Sequence, residues 1–321
     1  MTFKRYEPKP LFLERMKQVF NDEKEFEKYL EVIKKGSLNS IRCNTLKINP
    51  DELKKRLETK GWKIKQLFKE YPEIMIIEEK LLPGELGRSL EHLLGYYYVQ
   101  DISSMLSILA LNPKSHESFL DLCSAPGSKT TQAAAKMENK GIIVANEVKF
   151  DRLSVLASNL ERCGVSNCII TKKDGINLCE SFRRNNILFD KILVDAPCSG
   201  EGTIISNPKT MQMWNFNMIR QLSKLQKSLL LSALSILKPN GELVYSTCTH
   251  SPEEDEEVVD FALQNYPDLK IEKISLPVIC RSGICKWQDK KFNKELNKAC
   301  RIYPQDNNTE GFFIVKMKKG K

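Results

Sequence analysis

The stretch that decides the fold is Ser118–Thr130, with the sequence SFLDLCSAPGSKT. Its apolar first half predicts a strand, Pro126 and Gly127 predict a tight turn, and a helix is expected to begin at about Ser128. A strand that leads through a turn into a helix is the repeating unit of an α/β sheet. The free backbone N–H groups and the positive end of such a helix face any ligand bound beside the turn.

The turn does not match the common phosphate-binding motifs. It lacks the glycines and the Gly-Lys-Ser/Thr ending of a phosphate loop, and it lacks the three glycines of the dinucleotide fingerprint. A helix start can equally hold the carboxylate of a ligand. Taken alone, the stretch leaves a cofactor turn and an ordinary strand-to-helix turn equally open.

The same alternation continues on the C-terminal side of this stretch. Apolar runs predict strands, and amphipathic stretches between several of them predict helices, which together indicate a doubly wound, mostly parallel sheet. The strands are expected at Ser118–Leu122, Ile142–Asn146, Cys168–Thr171, Ile192–Asp195 and Glu242–Ser246, and the helices at Lys129–Met137, Phe150–Cys163 and Asn217–Leu237. Near the end of the chain, Leu269–Ser275 and Phe312–Met317 are expected to form a further strand pair.

The first part of the chain predicts a separate small α+β domain at 1–95, followed by a catalytic domain at 96–321. Helices are expected at Leu11–Phe20 and Glu23–Lys35, with strands at Ile41–Leu46 and Ile74–Ile77. Turn-forming residues around Pro83 and Gly84 provide the connection between the two domains.

Acidic residues follow three of the predicted strands. Asp121 stands at the end of the first, Glu147 stands where an α/β nucleotide-type site places an acid on ribose hydroxyls, and Asp174 follows a third strand. Each acid alone is compatible with an exposed loop residue. Three of them at corresponding strand ends favour a cofactor site at this edge of the sheet.

Two cysteines also follow strands: Cys198 in DAPCSG and Cys248 in YSTCT. Two thiols beside Asp195 suggest chemistry that uses an attacking thiolate and proton transfer, although spacing does not rank one thiol above the other. After Cys248, Ser251 is expected to cap a helix with Glu254 at the capping-box position. We interpret the acidic run Glu253–Glu257 as a complement to the dipole of that helix, whose positive end would favour a thiolate at Cys248.

Composition limits the class of protein. With 321 residues, 41% of them hydrophobic, the chain can form a full α/β core and a smaller domain. Its net charge of +9 arises from excess basic residues in 1–95 and 268–321, which suits a nucleic-acid partner, although a merely basic protein remains an equal alternative. The ten cysteines are scattered, so we expect reduced thiols and no metal site. The chain has no signal-like start and no apolar run of roughly 18 residues, which predicts a cytoplasmic protein that binds no membrane.

Three strings carry a family resemblance: SAPGSK at 124–129, DAPCSGEG at 195–202 and STCT at 246–249. They resemble the motifs of the Sun-type RNA cytosine-5 methyltransferases. Ile41–Leu46, Tyr98–Asp101 and the closing Gly311-Phe312-Phe313 also resemble that family, so the resemblance covers nearly the whole chain. Ser128 is a departure, because the family usually has a second glycine at this position.

The resemblance implies a Rossmann-like class I methyltransferase domain, with a mostly parallel seven-stranded sheet, behind a small α+β RNA-binding domain. It implies S-adenosylmethionine as cofactor, with its methionine end in the turn, its ribose on Glu147 and its adenine near Asp174. The cofactor residues implied by position are Cys123, Ser124, Ala125, Pro126, Gly127, Ser128, Lys129, Glu147, Arg152, Asp174 and Asp195.

The resemblance also separates the two thiols. It implies that Cys248 attacks carbon 6 of cytosine, that Cys198 assists product release and that Asp195 meets ring nitrogen 3. The sequence therefore predicts a monomeric RNA cytosine-5 methyltransferase, with tRNA favoured over rRNA. Two alternatives stay open: a non-catalytic RNA-binding or ribosome-assembly factor, and a DNA cytosine-5 methyltransferase, in which Cys198 would be the nucleophile.

Overall fold

The computed structural model describes residues 7–79 and 81–321. The helices are α1 (Pro10–Phe20), α2 (Glu23–Lys35), α3 (Pro50–Glu58), α4 (Glu85–Arg88), α5 (Leu90–Leu93), α6 (Ile102–Leu111), α7 (Ser128–Lys136), α8 (Phe150–Cys163), α9 (Gly175–Arg184), α10 (Thr210–Met213), α11 (Phe216–Ser235), α12 (Glu256–Asn265) and α13 (Pro304–Asn307), with 3-10 helices at Glu201–Ile205 and Lys294–Lys298. The strands are β1 (Asn39–Cys43), β2 (Ile64–Gln66), β3 (Ile74–Ile77), β4 (Tyr97–Val99), β5 (Ser118–Asp121), β6 (Ile142–Asn146), β7 (Cys168–Thr171), β8 (Phe189–Asp195), β9 (Leu237–Thr247), β10 (Lys270–Glu272), β11 (Arg281–Ser282), β12 (Lys286–Trp287), β13 (Lys290–Lys291), β14 (Cys300–Ile302) and β15 (Phe312–Lys318).

The large sheet confirms the predicted α/β class. Strands β7, β6, β5, β8 and β9 lie side by side in that order and run parallel. Strand β15 pairs antiparallel with β9, and β10 and β14 both pair with the opposite edge of β15. The predicted seven strands are wrong in number, because the described part of the chain places nine strands in this sheet. Residues 276–311, between the two strands expected near the end of the chain, contribute the short strands β11 and β14 to the antiparallel edge.

Helices cover both faces of the parallel strands. In β8, Ile192 and Val194 pack on the side of α11, whereas Leu193 packs on the side of α6. A continuous apolar run is what a parallel strand needs when both of its faces are buried. This packing holds the carboxyl ends of the parallel strands at a common edge, where the predicted site residues follow.

The small sheet has the order β2-β3-β1-β4 and is antiparallel. Leu53 and Leu57 of α3 pack against its Ile41. Its fourth strand, Tyr97–Val99, lies just beyond the predicted boundary at residue 95, and the division into 1–95 and 96–321 stays a prediction.

Helices α1 and α2 do not contribute to the core of the small sheet. Their buried residues Phe12, Met16 and Tyr29 pack into the core of the large domain, beside Met211 and Trp214. Among the described residues, no helix combines the length and the apolar character needed to cross a membrane.

Candidate active site

A cleft of about 350 Å³ opens at the carboxyl ends of β5 and β8, between the large sheet and the end of the small one. The residues that line it are Tyr98, Val99, Gln100, Asp101, Ser104, Asp121, Cys123, Ser124, Ala125, Pro126, Ser128, Lys129, Arg152, Asp195 and Glu310. Most of the predicted cofactor turn is therefore exposed to one cavity. Glu147 and Asp174 are not among its lining residues.

The cofactor turn, Cys123–Lys129, is anchored by a buried arginine from the small sheet. Arg42 donates hydrogen bonds to the backbone oxygen of Ser128 at 2.6 Å and to Oγ1 of Thr131 at 2.8 Å. Burial lowers the pKa of Arg42 to about 10. Gly127 precedes α7 with φ of 105°, a left-handed conformation that glycine adopts without strain. Gly127 allows the turn to form, and Arg42 connects it to the small domain.

Asn146 organises the neighbouring strand ends. The backbone N–H and Oγ of Ser124 both donate to the backbone oxygen of Asn146 at 2.9 Å. The Asn146 amide donates in turn to the backbone oxygens of Leu122 at 3.2 Å and Lys173 at 3.0 Å. One side chain thus connects the segments that follow β5 and β7.

Glu147 and Asp174 occupy different environments. Glu147 is 3% exposed, pairs with Arg152 at 3.2 Å and accepts a hydrogen bond from the Lys149 N–H at 2.8 Å. Arg152 also donates to the backbone oxygen of Ala125, which brings Glu147 close to the turn. Asp174 is exposed, and its carboxylate caps α9 by accepting from two backbone N–H groups at 3.1 Å.

The cleft has an acidic lining. Asp121 is 1% exposed, accepts a hydrogen bond from Oγ1 of Thr130 at 2.6 Å and has no partner for Oδ1 among the described residues. Burial raises its pKa to about 7. Burial and the nearby Asp101 likewise raise the pKa of Glu310 to about 7. Four acids and two basic residues face this cavity, an arrangement that suits a positively charged ligand such as a sulfonium with an amino group.

Asp195 lies between this cleft and the cysteines. Its Oδ2 accepts from Nζ of Lys129 at 2.7 Å, and its Oδ1 accepts from Oγ of Ser246 at 2.8 Å. Lys129 also donates to Oγ of Ser104 at 2.9 Å. The amino group of Lys129 is therefore directed at Asp195, away from the backbone of its own turn.

The two predicted catalytic thiols meet. Sγ of Cys198 lies 3.2 Å from Sγ of Cys248, because each thiol follows one of two adjacent parallel strands whose register pairs Asp195 with Ser246. The hydrogen bond with Cys248 and burial raise the pKa of Cys198 well above the ordinary value for cysteine. The raised pKa favours the protonated form of Cys198 beside the sulfur of Cys248.

The acidic run Glu253–Glu257 differs from its sequence interpretation. Helix α12 begins at Glu256, not after Ser251, and Oγ of Ser251 donates to Glu201 at 2.8 Å instead of capping. The proposed capping box is wrong, because Ser251 and Glu254 bind Glu201 and Ser199 instead. Glu256 and Glu257 do lie in the first turn of α12, as the dipole interpretation requires, and each acid of the run also binds a partner elsewhere in the fold. The contacts are Glu253 with Arg15, Glu254 with Ser199 and Gln226, Asp255 with Thr247, Glu256 with Arg301, and Glu257 with Lys227 and Lys290.

Sequence reasoning missed several residues that build the site. Arg42 is a charged residue inside the apolar run of β1, which is a signal in the sequence. Glu201 stands in the DAPCSGEG string, but its contacts do not follow from that string, and Glu310 has no local signal. Their partners lie far away in the chain: Glu201 accepts from Thr249 at 3.0 Å, and Glu310 accepts from Ser206.

The chain matches known families along most of its length. Residues 108–318 match the family model "16S rRNA methyltransferase RsmB/F", and residues 9–102 match "N-terminal domain of 16S rRNA methyltransferase RsmF". Among curated relatives, the "tRNA (cytosine(49)-C(5))-methyltransferase" of Pyrococcus abyssi is 44% identical, over 93% of each chain. "Ribosomal RNA small subunit methyltransferase F" of Shewanella piezotolerans is 39% identical over 96% of this chain, which spans 63% of that relative.

Solved structures agree. A methyltransferase homologue from Pyrococcus horikoshii is 35% identical, with a TM-score of 0.83 and coverage of 96% of this chain and 94% of the other. NSun6 of the same organism, crystallised with SFG, is 25% identical, with a TM-score of 0.83 and coverage of 98% of each chain. The predicted fold class, family and enzyme class are confirmed. The chain belongs to the RsmB/F family of methyltransferases, the Sun-type family that its motifs resemble.

Proposed function

We propose that this chain methylates carbon 5 of cytosine in RNA with S-adenosylmethionine as methyl donor. The observation that carries the proposal is the approach of two thiols to 3.2 Å beside Asp195, a residue that also lines the acidic cleft. The site thus combines a nucleophile and a proton donor next to a cavity that suits a cationic cofactor. The family membership supports the same chemistry.

The cysteine pair answers a chemical difficulty of this reaction. Carbon 5 of cytosine is a poor nucleophile until a thiolate adds to carbon 6 and makes carbon 5 enamine-like. We assign the addition to Cys248. Nitrogen 3 takes up a proton from solvent water as the thiolate adds, and Asp195, held by Lys129 and Ser246, accepts a hydrogen bond from that N–H. S-adenosylmethionine, when bound, supplies an electrophilic methyl group.

Cys198 acts after methyl transfer in this proposal. Restoring aromaticity requires that the protons on carbon 5 and nitrogen 3 pass to solvent water. The bond between carbon 6 and Cys248 breaks at the same time, and its electron pair leaves on the Cys248 thiolate. A protonated Cys198 at 3.2 Å can donate a hydrogen bond to the departing thiolate of Cys248. Its raised pKa supports this role, because the donor must keep its proton until the bond breaks.

The cofactor contacts remain proposals. The turn Cys123–Lys129 would receive the methionine end. Its neighbour Asp121 has an oxygen that no described residue contacts by a hydrogen bond, and this oxygen suits the positive amino group. Glu147 would hold the ribose and Asp174 would approach the adenine. Arg152 joins Glu147 to Ala125 and so connects the two ends of this site.

We infer that tRNA is the substrate and that the chain acts as a cytoplasmic monomer. The tRNA methyltransferase of Pyrococcus abyssi is 44% identical to this chain, and the rRNA methyltransferase of Shewanella piezotolerans is 39% identical. The basic excess in 1–95 and 268–321 supports an RNA partner of either kind.

The test is transfer of tritium from methyl-labelled S-adenosylmethionine to tRNA and rRNA, followed by nucleoside analysis. We expect label in 5-methylcytosine, more of it in tRNA than in rRNA. Cys248→Ala should reduce transfer on the order of 10⁴-fold. Label that persists at the wild-type rate in this variant would contradict the mechanism.

The matched variant is Cys198→Ala, which should accumulate a covalent adduct of protein and RNA. The same pair of variants separates the alternatives. In a DNA methyltransferase, Cys198→Ala would abolish transfer and Cys248→Ala would not. RNA binding without transfer to total tRNA or rRNA would favour the non-catalytic factor.

A further inference from the structure

Glu254 is a buried carboxyl group directed at the turn that carries Cys198. Its Oε2 accepts from the backbone N–H of Ser199 at 3.0 Å and from Nε2 of Gln226 at 2.9 Å. Gln226 also donates to the backbone oxygen of Pro197 at 2.8 Å. Glu254 and Gln226 therefore hold the residues on both sides of Cys198.

This arrangement is costly for stability. Among the described residues, Glu254 forms no salt bridge and its Oε1 has no partner, whereas Glu253 and Glu256 pair with arginines. A buried carboxyl group with an unsatisfied oxygen is expensive, and burial raises the pKa of Glu254 to about 7. Local energetic conflicts of this kind are expected at functional sites.

The neighbouring acid holds the other thiol segment. Asp255 accepts a hydrogen bond from Oγ1 of Thr247, the residue before Cys248. The backbone between the two acids is itself anchored, because the hydroxyl of Tyr245 donates to the backbone oxygen of Glu254 at 2.5 Å. Two consecutive acids thus reach the two cysteine segments separately.

We infer that Glu254 is a positioning residue for Cys198, which keeps this thiol against Cys248 and thereby acts in product release rather than in the initial attack. The inference rests on the proposed function for its role in release. The geometric part, in which Glu254 holds the Pro197–Ser199 turn, stands on the hydrogen bonds alone.

The experiment compares Glu254→Met with Glu254→Gln in single turnover on RNA, with adduct followed on denaturing gels. Methionine removes the acceptor at similar volume, so adduct should form at the wild-type rate and decay about tenfold more slowly, as expected for loss of a buried hydrogen bond. Glutamine retains an acceptor oxygen for Ser199 and should release product within about twofold of wild type. Glu257→Gln, whose partners are Lys227 and Lys290, is the matched control and should not differ from wild type.

A second readout does not depend on activity. Alkylation of Cys198, measured by mass spectrometry in the free protein, should rise about tenfold in Glu254→Met, since release of a held turn exposes the thiol. Alkylation of Cys248 should change less. If Glu254→Met does not fold, Gln226→Met serves instead, because it removes the donor to Pro197 and should show the same two effects.

The outcomes are distinguishable. Wild-type protein that transfers no methyl group contradicts the proposed function, and the alkylation result then decides the positioning role. If the wild-type protein transfers the methyl group and the adduct of a folded Glu254→Met variant decays at the wild-type rate, the role of Glu254 in release is overturned. Equal slowing of adduct formation and decay also overturns it, because a general structural defect affects both steps.

Discussion

The cofactor turn Cys123–Lys129 and the acidic run Glu253–Glu257 are both connections between a strand of the large sheet and the following helix. Their polar groups find partners over very different distances in the sequence. Ser124 and Ala125 bind Asn146 and Arg152, which are 22 and 27 positions away. The acids bind residues such as Arg15, which is 238 positions from Glu253.

This difference shows which contacts can be predicted from residues that are close in the sequence. In the cofactor turn, Pro126 and Gly127 direct the backbone, and the next helix and strand supply most partners. In the acidic run, five acids in succession satisfy the pattern of a helix start, yet Glu253, Glu254, Glu256 and Glu257 each bind residues 28 or more positions away. Four predictions test this contrast, in order of decreasing expected effect.

The largest effect is expected where a charge of the acidic run loses its partner. Arg301 is 2% exposed and pairs with Glu256 and, at 3.3 Å, with Asp255. Arg301→Met leaves two buried carboxylates unpaired and should lower the free energy of unfolding by about 3–5 kcal/mol in chemical denaturation. Arg152→Met removes a half-exposed partner of Glu147 in the cofactor region and should cost about 1–2 kcal/mol, because Glu147 is buried but keeps its hydrogen bond from the Lys149 N–H. Equal losses of unfolding free energy in Arg301→Met and Arg152→Met would contradict the expected difference between the two regions.

The second prediction concerns pH and takes one acid from each region. Burial raises the pKa of Asp121 and of Glu254 to about 7. Each group is protonated in both states below about pH 4, but between pH 4 and 7 the folded chain retains protons that the unfolded chain has lost, so stability falls as pH rises. Asp121→Asn and Glu254→Gln should each remove on the order of 2–3 kcal/mol of this decline, measured by denaturation at pH 5 and pH 8. If the stability of either variant falls with pH as steeply as that of the wild type, the carboxyl group that the substitution replaced does not titrate in this range.

The third prediction tests the long-range anchor of the cofactor turn. Arg42→Met removes donors to Ser128 and Thr131 and should lower stability by about 1–2 kcal/mol. It should also weaken S-adenosylmethionine binding about tenfold in calorimetry, because the turn loses its connection to the small sheet. The control is Arg56→Met, which breaks the pair with Glu91 in the same domain and should leave cofactor affinity unchanged. Equal affinities in the two variants would show that the anchor does not influence the turn.

The smallest effect is expected at Asp174, which caps α9 and is also proposed to contact the adenine. Asp174→Ala removes the cap of α9 and should cost about 1 kcal/mol of stability. Asp174→Asn retains the cap, since asparagine caps as well as aspartate. Weaker cofactor binding by a stable Asp174→Asn variant would therefore report the adenine contact. Unchanged cofactor binding would show that Asp174 only caps α9.

The predictable parts of the structure share a physical reason. The elements Ile142–Asn146, Cys168–Thr171 and Phe150–Cys163 agree residue for residue with expectation, because periodicity and flanking turn residues act within one element. The meeting of Cys198 and Cys248 was also foreseeable, since parallel strands bring their carboxyl ends to one edge.

Other features depended on packing. Helices α1 and α2 were expected with the small sheet, but their apolar stripes pack on the large domain, and an apolar stripe does not specify its partner. The place of Glu310 in the acidic cleft also depends on packing, because the position of β15 brings Glu310 to Asp101 from the far end of the chain.

By itself, the sequence determined the strand and helix units, the cofactor turn, the two thiols and the family, because these depend on local patterns and on motifs. Only the tertiary structure decided that Lys129 binds Asp195, that Arg42 anchors the turn and that Glu254 and Asp255 hold the two cysteine segments. All of these contacts except the one between Asp255 and Thr247 join residues that are far apart in the chain, and the burial that makes them strong exists only after the layers have packed.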